Sequence, residues 1–578
     1  MTVTSALRDY GVIGDGRTIA LVGRNGSIDW LPLPSLNSLP VFAGLLDDES
    51  GGRIELAPVG EFTVSRRYVR GTNVLTSLIH TPTGSVRVTD ALITGIEGRL
   101  PWTELGRRIE GVEGEVRMRW SVQPGTLLGT ASPWIHHDGA HSIIHAGSVT
   151  IGVTGTEHHP RRRRQPAHSE TALHGTFTTA PGSRHILALV ATENEPLHLP
   201  DAQTVDAGID RTIATWREWS KTFAFDGRWS SEVQRSALLL KSLVYAPTGA
   251  VAAAATTSLP ESAYGGKNWD YRFAWVRDAA YSVRALVRFG LRTETHAAFS
   301  WLLETIEDDP SDLHVFYDLD GSVPHGVTTF DVPGWNGIGP VVSGNRAQDQ
   351  RQLGVFGDLL GLAREYVNAG NILDEKTKRM LAGVANRACD FWRTPDSGMW
   401  ELVEPRHFTS SKMGCWQALD AAVHLAEKGQ LHGSPDRWRA ERERIRDWIG
   451  EHCWSEELGA YTMVAGGTDL DASVLLHAVS GFDTGPRMAS TIDTIVAQLG
   501  RGPLLYRYSG MDAVEHPFVA CSFWLAAALA AVGRQDEAVA LMDRLVKLSN
   551  DVGVLAEMID EDQKTFWETS PRVSAIWA

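Results

Sequence analysis

The chain has 578 residues, too many for one hydrophobic core, so two domains are expected. A net charge of −16 argues against nucleic acid as a partner, and no apolar run approaches the roughly 20 residues that span a bilayer. With 43% hydrophobic and 21% charged residues, and no basic segment leading into an apolar run at its start, it reads as a cytoplasmic globular protein.

The first two hundred residues read as β-structure. Gly16–Pro34 carries short apolar runs broken by Asn25-Gly26, a strong hairpin signal. Arg53–Val64, Ser85–Ala91, Val116–Val122, Ser142–Val153 and His185–Ala191 continue the pattern, which predicts a large antiparallel β-sandwich over 1–204. Gly14-Asp15-Gly16 lacks the spacing and the following helix of a phosphate loop. His136-His137-Asp138 reads as a solvated turn rather than a metal site, and Arg161–Arg164 as an exposed basic loop.

Near Asp206 the apolar period changes from 2 to 3.6, predicting a helical linker over 205–230. Helices then dominate 231–578, at 231–246, 271–289, 293–307, 349–368, 373–393, 410–428, 434–451, 469–480, 485–499, 518–532 and 535–548, with a short terminal piece. Antiparallel pairs of this number can close into a ring. Periodicity alone does not separate a ring from a solenoid, although no internal repeat is visible. Four long connections, Ser311–Asp349, Thr394–Thr409, Gly502–Phe518 and Asp551–Pro571, would line one mouth of such a ring, where function usually sits. Cys389, Cys415, Cys453 and Cys521 form no CxxC pair and read as buried thiols, not as a disulfide frame or zinc site.

Three stretches carry chemistry. In Lys267–Ala280, Asp270, Arg272, Arg277 and Asp278 are interleaved with Trp269, Tyr271, Phe273 and Trp275, ahead of an apolar helical stripe that ends at Gly290. Arg277–Asp278 reads either as an ion pair locking a helix start or as part of a cup of flat rings and forked charges for a polyhydroxylated ligand. Glu401 follows Trp400, in apolar company of the kind that keeps a carboxyl protonated and able to act as a general acid. The next helix has Thr409 or Ser410 as its expected N-cap. Glu557 interrupts the apolar run Val552–Ile559, while Asp560, Glu561 and Asp562 read as a solvated acidic turn. Two positioned carboxylates are the requirement of glycoside hydrolysis. Whether Glu401 and Glu557 face each other is not visible in the sequence.

SLPE at Ser258–Glu261, NWDYRFAWVRDA at Asn268–Ala279, GMWELVEPRHFTSSKMGCW at Gly398–Trp416 and CSFWL at Cys521–Leu525 resemble glycoside hydrolase family 15, the family of glucoamylases, glucodextranases, isomaltose-hydrolysing enzymes and bacterial trehalases. Ile28–Pro34 and Val41–Asp47 resemble the opening of its bacterial members. The resemblance spans nearly the whole chain. It implies a β-sandwich followed by an (α/α)6 barrel and hydrolysis of α-glucosides with inversion, without metal or cofactor. Carried over by motif, Glu401 is the general acid and Glu557 the general base. Arg277 and Asp278 grip the non-reducing glucose, and Arg507-Tyr508 holds further hydroxyls. Trp269, Trp275 and Trp400 wall that sugar, and Trp335 borders the next. The sequence departs from the family after the base: Met558 replaces a second Glu, and Thr569–Ser574 differs from the usual segment, which puts the leaving-group side in question. For a cytoplasmic enzyme the expected partner is a short α-glucoside. Isomaltose and small α-1,6-linked sugars stand slightly ahead, with trehalose as the main alternative and a phosphorylase or a sugar-binding pseudoenzyme behind.

Overall fold

The computed structural model describes residues 5–95, 102–138, 141–156, 171–308 and 313–568. Arg161–Arg164 and Thr569–Ser574, both singled out in the sequence, lie outside the described residues.

Two antiparallel sheets form the N-terminal half. One runs in the order Tyr10–Gly14, Ile19–Gly23, Ile28–Pro32, Arg53–Pro58, Val116–Gln123, Leu173–Thr179, with Pro40–Phe42 added beside the third strand. The other runs Trp134–Asp138, His141–Ala146, Val149–Gly155, Arg184–Glu193, Trp102–Gly114, Gly84–Leu92, Leu75–Thr81, Thr63–Tyr68. Alternation drives the layering: Val116, Met118, Trp120 and Val122 are buried while Arg117 and Arg119 between them are exposed. At the Asn25-Gly26 turn only glycine fits, because Gly26 has a φ of +86° and a Cβ there would lie 2.1 Å from the Leu56 carbonyl oxygen. His136, His137 and Asp138 do not form a turn. They lie on an edge strand, where Trp134 stacks on His145 with centroids 4.0 Å apart and His136 Nδ1 lies 3.1 Å from His145 Nε2.

The first helix, α1 (Ala202–Ser220), is capped by Asp201, which accepts a hydrogen bond from the Thr204 amide. It starts before the expected linker and packs on the sandwich, where Arg108 and Arg184 both reach Asp206. The helices that follow are α2 (Ser230–Leu243), α3 (Val276–Arg288), α4 (Arg292–Asp308), α5 (Val355–Asn368), α6 (Glu375–Phe391), α7 (Thr409–Glu427), α8 (Pro435–His452), a short α9 (Leu476–Val479), α10 (Pro486–Leu499), α11 (Val519–Ala531) and α12 (Gln535–Leu545). They alternate between an inner and an outer layer. α7 and α11 are buried almost all round, whereas α8 buries only Trp438, Glu441, Ile445 and Ile449. This is the β-sandwich followed by a barrel of helices that the family resemblance implies.

Helix starts differ from the periodicity in one informative place. The stripe predicted a helix from residue 271, but the helix begins only at Val276. Ala274–Trp275 pairs with Phe316–Tyr317, and the carbonyls of Tyr271 and Phe273 accept from Ala254 and Ala253. Alternating aromatics satisfy a pleat here and a helical stripe only afterwards. Similarly, α7 is preceded by Phe408 with no side-chain cap, and the Thr409 amide donates instead to the Met463 carbonyl at 2.9 Å.

Sandwich and barrel share one core. Trp30 Nε1 donates to the Ala255 carbonyl at 2.9 Å, Arg272 Nη1 to the Ser38 carbonyl at 2.6 Å, and Asn550 Nδ2 to the Tyr10 carbonyl at 2.9 Å. No helix among the described residues is long and apolar enough to cross a membrane.

Candidate active site

A cavity of about 280 Å3 opens where the inner helices begin, and all four long connections reach it: Asn345 from the first, Met399–Val403 from the second, Arg507 and Tyr508 from the third, and Glu557 from the fourth. Its floor is the start of α3. Arg277 and Asp278 sit in the first helical turn, where the free amides and the dipole favour the aspartate. Arg277 Nε lies 3.4 Å from Asp278 Oδ2, Nη1 donates to the Met399 carbonyl at 2.8 Å, and Nη2 is 3.8 Å from Glu401 Oε1. The two readings of this pair therefore hold together: it is an ion pair, and it faces the cavity. Under it lie Tyr281 and Asp358, and burial pushes the Asp358 carboxyl up to about 7 against the pull of Arg277 and Arg284.

Glu401 is held by its backbone as much as by its side chain. Its φ is +60°, a left-handed conformation costing a non-glycine residue about 1–2 kcal/mol. The turn is closed by the Leu402 amide donating to the Ser397 carbonyl at 3.0 Å, and Gln350 Nε2 donates to the Glu401 carbonyl at 2.9 Å. Trp275 Nε1 donates to Glu401 Oε1 at 2.8 Å. The apolar setting expected from Trp400 is thus replaced by an indole N–H and a nearby guanidinium. Trp400 points elsewhere, donating to Asp471 Oδ1 at 2.8 Å and standing among Phe518, Trp524 and Tyr508.

Glu557 is fully buried from solvent and lines the cavity, its carbonyl accepting from the Val519 amide at 2.8 Å, which ties the segment to the start of α11. The acidic turn beyond it is a hairpin tip: Asp560 accepts from the Lys564 and Thr565 amides at 2.7 and 3.1 Å. Arg507 is committed to carboxylates. Its Nε donates to Glu515 Oε1 at 2.6 Å, while Nη2 reaches both Glu515 Oε2 and, at 2.9 Å, Glu261 Oε2. Lys267 Nζ joins the same pair, 2.9 Å from Glu515 and 3.7 Å from Glu261. Burial pushes Glu261 up to about 7, opposed by Arg507 and reinforced by Glu515; Glu515, bonded to both cations, is held below the usual carboxylate range despite its burial.

Of the residues marked in the sequence, Glu401, Glu557, Arg277, Asp278, Trp269, Trp400, Arg507 and Tyr508 line this one cavity. Trp275 and Trp335 do not. Trp275 stands behind Glu401, stacked on Phe316 at 4.4 Å, and Trp335 is buried edge-on against Trp567 at 5.7 Å. Asp270 and Arg272, from the same aromatic stretch, are a separate buried pair with bonds of 2.9 and 2.8 Å. Glu261, Lys267 and Gln350 reach the site without having been marked. Glu261 ends the SLPE motif and could have been noticed as a charge in an apolar run, but Gln350 carries no sequence signal.

Residues 227–572 match the model for "Glycosyl hydrolases family 15", and residues 4–131 match "Trehalase-like, N-terminal". The chain belongs to glycoside hydrolase family 15. It is 32% identical over 604 aligned positions to a trehalase of Mycobacterium tuberculosis, covering 96% of this chain and 85% of that one. A trehalase of Mycolicibacterium smegmatis is 30% identical, covering 96% and 87%. A bacterial glucoamylase crystallised with acarbose superposes with a TM-score of 0.72 at 12% identity, covering 99% of this chain and 92% of that one, a likeness of fold. The family member described above is a glycoside hydrolase acting on a sugar substrate.

Proposed function

We propose that this chain is an α,α-trehalase that works by inversion. One glucose of trehalose rests on the floor against Arg277 and Asp278, whose forked guanidinium and carboxylate suit adjacent hydroxyls. Glu401 protonates the glycosidic oxygen, and Glu557 takes a proton from the water that attacks the opposite face of the anomeric carbon. Trp275 and Gln350 hold Glu401 in place, Trp275 through the carboxylate and Gln350 through the backbone, so that the acid arrives pre-aimed.

The observation that supports trehalose most is that the likeness to trehalases runs through both domains, the N-terminal one included. Trehalose thereby takes precedence over isomaltose, which the sequence had placed slightly ahead. Glu557 in the cavity beside Glu401 speaks for hydrolysis over phosphorolysis, in which phosphate takes the place of both water and base. Glucose release from trehalose, isomaltose, maltose and dextran tests the reading. Trehalose should give the highest kcat/KM; a preference for isomaltose or maltose would overturn the assignment of substrate while leaving the family activity intact.

A further inference from the structure

Glu401 rides on a turn that is anchored outside the cavity. The turn closes back on the Ser397 carbonyl, and the residue before that closure is Asp396, which is 1% exposed and does not line the cavity. Asp396 Oδ2 accepts two hydrogen bonds from different elements. One comes from the Leu353 amide at 2.9 Å, just ahead of α5, and the other from the Ser411 hydroxyl at 2.7 Å, in the first turn of α7. The Asp396 backbone is paired with Arg406, its amide donating at 3.0 Å and its carbonyl accepting at 2.8 Å. On either side of it, the Thr394 carbonyl accepts from the buried Lys412 Nζ at 2.6 Å, and the Ser397 amide donates to the Arg351 carbonyl at 2.9 Å.

The segment that Asp396 holds through Leu353 also braces the acid, since Gln350 donates to the Glu401 carbonyl. One buried carboxylate thus joins the turn that carries Glu401, the segment behind it and the start of α7. Such a junction matters for two reasons. A left-handed glutamate keeps its conformation only where its surroundings impose it, and a general acid works only within hydrogen-bond reach of the oxygen it protonates. The floor is built differently: Arg277 and Asp278 stand on α3, to which Asp396 makes no bond among the described residues.

We infer that Asp396 is the positioning residue of the general acid, holding through Leu353 and Ser411 the turn that aims Glu401 at the glycosidic oxygen. This deepens the hydrolase reading above and rests on the assignment of Glu401. The role predicts a loss that depends on how far the leaving group needs a proton. The departing glucose of trehalose takes the proton of Glu401 as its bond to the anomeric carbon breaks. Fluoride leaves α-glucosyl fluoride without one, while the same glucose occupies the floor.

The test measures kcat for trehalose and for α-glucosyl fluoride in the wild type, Asp396→Ala, Asp396→Asn and Ser411→Ala, with Glu401→Gln as the reference and thermal melting as the check on folding. Asp396→Ala should lower kcat on trehalose by about 10–100-fold and leave α-glucosyl fluoride near wild type. Asp396→Asn keeps an oxygen for both donors and should restore most of the trehalose activity. Ser411→Ala removes one of the two bonds and should show a smaller loss with the same selectivity, which decides the matter if Asp396→Ala does not fold. Equal losses on both substrates, or no loss on either, would overturn the inference, since Asp396 would then serve the floor glucose or the fold alone. Glu401→Gln separates the two levels. If it loses both substrates equally, the acid assignment falls; if it loses trehalose selectively and the Asp396 and Ser411 variants do not, only the inference falls. Should the wild type prefer isomaltose, that sugar takes the place of trehalose in the comparison.

Discussion

Two arginine–aspartate pairs stand within Lys267–Ala280 and do opposite things. Arg272 forks onto Asp270 with bonds of 2.9 and 2.8 Å, both residues are almost wholly buried, and the remaining guanidinium nitrogen crosses to the Ser38 carbonyl of the sandwich. Arg277 lies 3.4 Å from Asp278 and turns its other nitrogens to Met399 and toward Glu401. The first pair is saturated and joins the two domains. The second lines the cavity. Composition does not distinguish them; what does is the backbone, not helical at Asp270 and Arg272 and helical from Val276 on.

The largest effect should come from the group that the second pair serves. Glu401→Gln should lower kcat by about 10²–10⁴-fold with an unchanged melting temperature, the range for a lost general acid. Next, Asp270→Asn leaves Arg272 buried beside a neutral partner and should cost about 3–5 kcal/mol in chemical denaturation, with kcat of the folded fraction close to wild type. Asp278→Asn should show the reverse: a kcat/KM loss on the order of 10²-fold and little change in denaturation midpoint. If Asp270→Asn is instead inactive yet stable, the division between the pairs is wrong. A smaller effect, roughly tenfold in kcat, is expected for Trp275→Phe, which removes the indole donor from Glu401 and keeps most of the stacking on Phe316.

Smallest of all is a pH effect from below the floor. Asp358 is raised from 3.8 to about 7 in the folded protein by burial, so the fold binds its proton more tightly than the unfolded chain does. Its contribution to stability is fully present below about pH 4 and is lost as pH rises through about 7. Asp358→Asn should therefore flatten the decline in melting temperature between those limits, and an unaltered slope would mean that Asp358 is ionised throughout.

Much of this was legible in the sequence. Alternation in segments such as Val116–Gln123 gave away the sandwich, and the change to a 3.6 period gave away the helices. Glu401, Glu557, Arg507 and Tyr508 were found through motifs on long connections between regular elements, and Arg277 and Asp278 through a motif at a helix start. What escaped depends on geometry with no local signature. The left-handed backbone of Glu401 follows from a turn closed between Ser397 and Leu402, and a glutamate gives no hint of it. Trp275 looked like a sugar wall because an indole suits a sugar face and a packed core equally well. Glu261 was overlooked because its partners, Arg507 and Glu515, come from a loop more than two hundred residues away.

The central claim, inverting hydrolysis of trehalose by Glu401 and Glu557, is tested most directly by following the anomers of glucose by proton NMR in the first minutes of reaction. Inversion turns the glucose on the floor into the β-anomer and releases the other with its α-configuration intact, so α and β should appear in equal amounts before mutarotation. Two α-glucoses for each trehalose would show retention and contradict the account.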